Sequence, residues 1–206
     1  MLGTPNQSIG FCGDGFWGIP DASVDFCEEK YIESYWVGEY YNTLSSLMYI
    51  CVGIPFLFTK IKHIAWCIIG IGVGSILLHG TLRCYGQWVD EIFMILTVFK
   101  TLKYIRPNTS NVFLVISIYL YFSFSHLYFV FLIIFGMLKM YFLYISFKSD
   151  KILLKLYISC FTIAFICWTL DQGACSFVQH IQLHAWWHIF TSISILFGML
   201  ELLNHT

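Results

Sequence analysis

After residue 40 the chain reads as long apolar runs separated by short polar clusters. Seven runs can be bounded, over residues 40–59, 64–82, 89–105, 112–124, 127–147, 152–170 and 183–203. Most approach the ~20 residues that a helix needs to cross a ~30 Å hydrocarbon core; the third and fourth are shorter. Inside lipid every backbone amide must be satisfied within the protein, which leaves helices or a closed barrel. Barrel strands would alternate polar and apolar residues, and these runs do not. The pattern predicts an all-α, integral membrane bundle of seven transmembrane helices. Residues 1–206 form a single membrane domain, with 1–39 an N-terminal segment and about 40–203 the bundle. Residues 1–39 are rich in Gly, Pro, acidic and aromatic residues and lack the basic-then-apolar order of a cleaved signal peptide. The first run is therefore expected to serve as an uncleaved anchor.

Composition agrees. The chain is 58% hydrophobic and 11% charged. A soluble fold of 206 residues keeps too much surface per unit volume to hide that much apolar area. A net charge of −1 gives no electrostatic case for a nucleic-acid partner. Nothing in the sequence specifies an oligomeric state.

The basic residues orient the bundle. Lys60, Lys62, Lys100, Lys103, Arg106, Lys148, Lys151 and Lys155 fall on the side away from the N-terminus, against Lys30 and Arg83 on the N-terminal side. Lys139 lies within the fifth run. Basic residues collect on the cytoplasmic side, so the N-terminus is expected to be lumenal or extracellular and the C-terminus cytoplasmic.

Ionisable groups inside spans are costly and usually face a functional interior. Here they gather at one depth. His79 lies near the end of the second run, Asp90 at the start of the third, and His184 and His188 open the seventh. His184 and His188 are four apart and share a helix face, as do Ser75 and His79. Taken singly, a membrane histidine is an interhelical hydrogen-bonding group, and Asp90 could be a helix cap. Jointly, three imidazoles meet the ligand requirement of a catalytic zinc with one open position. A bound water there would ionise easily, and Asp90 could take its proton.

Other residues carry less. His63, His126, His180 and His205 read as structural or solvated. Trp186 and Trp187 read as interface and packing aromatics. Gly70 and Gly74 form a small-xxx-small row that suits close helix packing. Asp171, ending the sixth run, could orient a ligand histidine or cap its helix. Asp25, Glu28, Glu29, Glu33 and Glu39 cluster before the first run. They could hold calcium, though not with EF-hand spacing, or form a solvated acidic face. Cys27 and Cys175 lie on the lumenal side, where a bridge is permitted; Cys12 and Cys84 compete on that side. Cys51, Cys67, Cys160 and Cys167 read as small buried hydrophobes. Asn6-Gln7-Ser8 is a glycosylation sequon.

The same residues spell a family pattern. Gly18-Ile19-Pro20, Val24-Asp25-Phe26-Cys27-Glu28-Glu29 and Glu39-Tyr40-Tyr41-Asn42-Thr43-Leu44-Ser45-Ser46-Leu47 resemble the N-terminal signature of alkaline ceramidases. Gly74-Ser75, His79-Gly80-Thr81-Leu82, Gln87 and Asp90-Glu91 are similar to their second and third helices. Trp168-Thr169-Leu170-Asp171, Cys175 and His184-Ala185-Trp186-Trp187-His188 are similar to their C-terminal signature.

The resemblance implies a zinc-dependent hydrolase that cuts the ceramide amide bond, giving a sphingoid base and a free fatty acid. It implies Zn2+ on His79, His184 and His188, with Asp90 handling the proton and Ser75 assisting at the carbonyl oxygen or the attacking water. It implies Ca2+ held by Asp25, the Phe26 carbonyl, Glu28, Glu39 and the position of Lys30, and a Cys27–Cys175 disulfide. The expected setting is the endoplasmic reticulum or Golgi membrane, with a ceramide-type lipid as substrate. Two positions depart from the family: Phe26 stands where Trp is common, and Lys30 where Asn stands. Three carboxylates around one ammonium would still repel each other. Lys30 is therefore expected to point to solvent and leave room for calcium. The alternative reading is a seven-helix receptor with a zinc site, similar to adiponectin receptors.

Overall fold

A computed structural model of the chain describes residues 15–147 and 151–204. The Asn6 sequon, Cys12, Lys148 and His205 lie outside the described residues. Within them the protein is all-α. Short helices α1 (Tyr40–Ser45) and α2 (Leu47–Gly53) and a 3-10 turn over Ile54–Phe58 make one broken span. There follow α3 (Lys62–Thr81), α4 (Cys84–Ile105), α5 (Asn111–Ser123), α6 (Tyr128–Phe147) and α7 (Ile152–Gly173). A short α8 (Cys175–Val178) leads to α9 (Leu183–Asn204). The seven apolar runs thus each become a helical segment, and the protein is a multi-pass integral membrane protein.

The first span breaks where its sequence competes with the helix. The hydroxyls of Ser45 and Ser46 both donate to the Asn42 carbonyl, at 3.0 and 2.7 Å. Such back-bonding weakens the regular ladder, and Pro55 then removes a donor. Two boundaries differ from expectation. Helix α4 begins at Cys84, so Asp90 lies well inside a helix instead of opening one. Helix α7 runs through Gly173, which puts Asp171 in its last turn.

The tightest pairings are α3 on α4 and α7 on α9. At the first, a Cβ added to Gly74 would lie 2.3 Å from the Asp90 backbone nitrogen, and one at Gly86 would lie 2.4 Å from the Leu78 nitrogen. Only glycine lets the two backbones approach this closely. Outward faces of α5, α6 and α7 are apolar at helical spacing, as at Val112, Val115, Tyr119 and Phe122. In water such a surface would be a liability; in lipid it is the expected exterior. Cys67 is buried, but Cys51 faces outward, so not every span cysteine is a core residue.

Residues 15–39 lack regular helix and fold over the end of α3. Asp21 and Ala22 donate to the Leu82 carbonyl, Gly38 to Gly80 and Glu39 to His79, at 2.8–3.2 Å. Cys27 is paired with Cys175 as a disulfide, with Cα atoms 5.3 Å apart. Cys84 is a free thiol. The segment is thereby joined to α3 by backbone bonds and to α8 by a covalent link.

Candidate metal centre

His79 ends α3, and His184 and His188 occupy the first turns of α9. All three are buried, and one nitrogen of each lies within 4.8 Å of the others. Their outer nitrogens are engaged from the N-terminal side. His79 Nδ1 lies 2.5 Å from Glu39 Oε2. His188 Nδ1 lies 2.8 Å from Ser45 Oγ and 3.4 Å from Ser46 Oγ. Engagement at Nδ1 fixes the tautomer and leaves Nε2 of both rings for a ligand, which is the usual way a metal-binding histidine is oriented. His184 Nδ1 is buried and has no hydrogen-bond partner among the described residues. The Phe26 ring lies tilted against His184 and His79, with ring centroids 3.8 and 4.9 Å away, covering both. Three convergent, buried imidazoles, two of them oriented through Nδ1, are suited to one metal ion.

Ser75 is buried, with Oγ 2.8 Å from Ser46 Oγ and 3.4 Å from His188 Nε2. Asp90 is buried, and its Oδ1 has no hydrogen-bond partner among the described residues. Asp90 and Glu91 line a cavity of about 460 Å3 whose other walls include Phe26, Phe131, Trp168 and Trp187. Its size and apolar walls fit a lipid tail. A second cavity of about 240 Å3 lies on the far side of Met94, Phe135 and Lys139, which line both. The Lys139 ammonium sits over the Phe161 ring at 4.1 Å and donates to the Tyr157 hydroxyl.

The acidic segment departs from expectation. It is not a solvated face, because Glu28 and Glu39 are buried. Nor does Lys30 point to solvent. Its ammonium lies 2.6 Å from Asp25 Oδ1 and 2.9 Å from Glu39 Oε1. It also donates to the Glu28 carbonyl at 3.0 Å and to the Phe26 carbonyl. The Glu28 carboxylate faces elsewhere, accepting from the Tyr41 and Asn42 backbone N–H groups at 2.7 and 2.9 Å. The repulsion among three carboxylates therefore does not arise: two face Lys30, and the Asp25 side chain is 86% exposed and solvated. Burial alone would lower the lysine pKa, but the Glu39 and Asp25 charges outweigh it and hold it above the ordinary value. Calcium needs six to eight oxygens at ~2.3–2.6 Å. Lys30 Nζ stands among the same oxygens that would bind it, so these residues do not fit the ion.

Asp171 neither orients an imidazole nor caps its helix: its Oδ2 accepts from the Cys27 backbone N–H and from Gln172, both at 3.4 Å. His63, His126 and His180 are exposed, as a solvated reading requires. Trp186 is 44% exposed, while Trp187 packs inward. Sequence reasoning missed Ser45 and Ser46 as partners of His188 and the Phe26 ring as a cover. Only the run from Glu39 to Leu47, in which these serines sit, pointed toward them.

Comparison with known proteins agrees with this geometry. A family model described as Ceramidase matches residues 18–205. Alkaline ceramidase 3 of Mus musculus is 26% identical over 87% of this chain and 82% of its own. Alkaline ceramidase of Arabidopsis thaliana is also 26% identical, over 87% and 82%. Alkaline ceramidase 1 of Homo sapiens is 25% identical over 88% and 81%. With a buried three-histidine centre, a Phe26 ring that both covers it and lines the apolar chamber, and a family match over nearly its whole length, the chain belongs to the ceramidase family.

Proposed function

We propose that the protein hydrolyses the amide bond of a ceramide-type lipid, using zinc and releasing a sphingoid base and a free fatty acid. One observation carries this reading. Three buried imidazoles, two already oriented through Nδ1, share a bundle end with a buried carboxylate that lines a lipid-sized apolar chamber and whose Oδ1 has no hydrogen-bond partner among the described residues. The family match favours hydrolysis over the receptor reading.

Each residue has a task. His79, His184 and His188 would hold a zinc ion, which supplies Lewis acidity and lowers the pKa of a water toward neutrality. Asp90 takes a proton from the attacking water and returns it to the nitrogen as the carbon–nitrogen bond breaks. The water oxygen ends in the fatty acid, and the amine leaves as the sphingoid base. Ser75 donates to the carbonyl oxygen as charge builds there. Phe26 and Trp187 close the chamber against bulk water, which strengthens these interactions.

The site faces the lumen of the endoplasmic reticulum or Golgi, with the C-terminus in the cytoplasm. Lys62 opens α3 and Lys103 ends α4, both at the end of the bundle opposite His79, as a positive-inside arrangement requires. Terminal epitope tags probed by selective permeabilisation test the orientation; both tags on one face would refute it. Mass spectrometry of lipids after incubating the full-length protein with mixed ceramides tests the activity. Equal release of sphingoid base and fatty acid, lost on zinc removal and restored by zinc, is expected. Full turnover by metal-stripped protein would sink the zinc mechanism.

A further inference from the structure

We propose that Lys30 is a built-in cation that positions the metal centre through Glu39, and that the protein has no need of calcium. The inference rests on His79 being a metal ligand, as above. It begins with one ammonium and four oxygens. Lys30 Nζ contacts two carboxylates, of Asp25 and Glu39, and two carbonyls, of Phe26 and Glu28. An ammonium has three protons to donate and no lone pair, so a shell of oxygens alone is the environment that suits it. The shell comes from two stretches of the N-terminal segment, residues 25–28 and Glu39, and a single positive charge draws them together.

Two of those contacts lead straight to the metal centre. Glu39 is 1% exposed, and its carboxylate is divided between neighbours. Oε1 faces Lys30, while Oε2 faces His79 Nδ1 and accepts from Asn42 Nδ2 at 3.0 Å. Without a cation at Oε1 a buried carboxylate would be under-compensated, which is strongly unfavourable. It would then rotate toward solvent, which weakens its hold on His79. Phe26 gives the second route. Its carbonyl is held by Lys30, and its ring lies across His184 and His79. Lys30 thus fixes both the acceptor that orients one ligand and the ring that covers two of them. It touches no reacting atom and is a positioning residue.

A tethered charge differs from a bound ion in one testable respect: it cannot be removed by a chelator. The experiment uses the full chain in lipid nanodiscs, the calcium chelator EGTA and calcium chloride as the probe, with Lys30→Asn alongside. Asparagine removes the charge and leaves space among the same oxygens. For the parent we expect no heat of calcium binding, and a melting midpoint and zinc affinity that are unchanged between EGTA and calcium. For Lys30→Asn in EGTA we expect zinc affinity, read by chelator competition, to fall on the order of 10-fold. Calcium should restore that affinity and raise the melting midpoint in a saturable way. A purely structural lysine would not give a defect that a divalent ion repairs. Calcium binding by the parent would overturn the proposal, as would a Lys30→Asn protein that keeps parental zinc affinity in EGTA or that calcium does not repair. If Lys30→Asn fails to fold, the parental titration alone decides. None of these readouts requires turnover, so failure of the ceramide assignment would be seen separately.

Discussion

Glu39 Oε2 lies 2.5 Å from His79 Nδ1, so the residue that leads into the first span orients a ligand at the end of the second. Ser45 does the same for His188 with a neutral hydroxyl. A carboxylate partner raises the basicity of an imidazole more than a hydroxyl does, and charge-assisted bonds are about twice as strong. Glu39→Gln is expected to lower zinc affinity on the order of 10- to 100-fold, and Ser45→Ala by less. Chelator competition on the purified variants ranks them. A larger defect for Ser45→Ala would mean that the charge on Glu39 is not what matters.

Separating ligand from base requires two kinds of variant. His79→Ala, His184→Ala and His188→Ala should each lose zinc and turnover together. Asp90→Asn should keep zinc but lose turnover on the order of 100-fold or more, since an amide cannot accept the proton. Zinc content by elemental analysis beside product release distinguishes the two classes. Near-parental turnover in Asp90→Asn with zinc bound would place the base elsewhere.

Helix contact at Gly74 can be probed with a single added methyl group. A Cβ there would lie 2.3 Å from the backbone of Asp90, so α3 and α4 must part to accept it. Gly74→Ala should cost about 1–3 kcal/mol, as overpacking commonly does, and should shift the Asp90 backbone away from α3. Gly136→Ala is the control, because nothing lies within 4 Å of its added Cβ. Thermal unfolding in one detergent compares them, and equal midpoints would show that the helices tolerate separation.

Lys139 stands on the wall shared by the two cavities. Lys139→Ala opens a passage from the chamber beside Asp90 into the inner cavity. The preferred acyl chain should then lengthen, while Lys139→Met, of similar length, keeps the parental profile. Competition among ceramides of graded chain length gives the readout. An unchanged profile in Lys139→Ala would show that lipid tails do not reach the wall.

The helices and the three imidazoles were legible in the sequence because each rests on a repeating or local pattern. Apolar runs report span length, and His184 with His188 report one face of one helix. The start of α4 was not legible. Gln87 looks like a loop residue, yet it is buried, accepting from the Ser23 backbone N–H and donating to Glu91. A polar side chain satisfied by a distant segment cannot be told from a solvated one by hydropathy. Lys30 was misjudged for a related reason. Counting Glu28 among its neighbours is natural from sequence, but that carboxylate is committed to the first backbone amides of α1. The partner of Asp171 was hidden likewise, since the backbone of Cys27 lies 144 positions away.

The bond between Ser45 and His188 joins residues 143 positions apart. A centre built from the first and last spans cannot exist on a partly synthesised chain. During insertion α3 would present His79 to the membrane with no companion ligands, and the chamber would lack the Trp187 wall. Hydrolysis therefore begins only once α9 is seated. The unfinished chain is thus silent toward the lipid of whatever membrane receives it, by geometry alone.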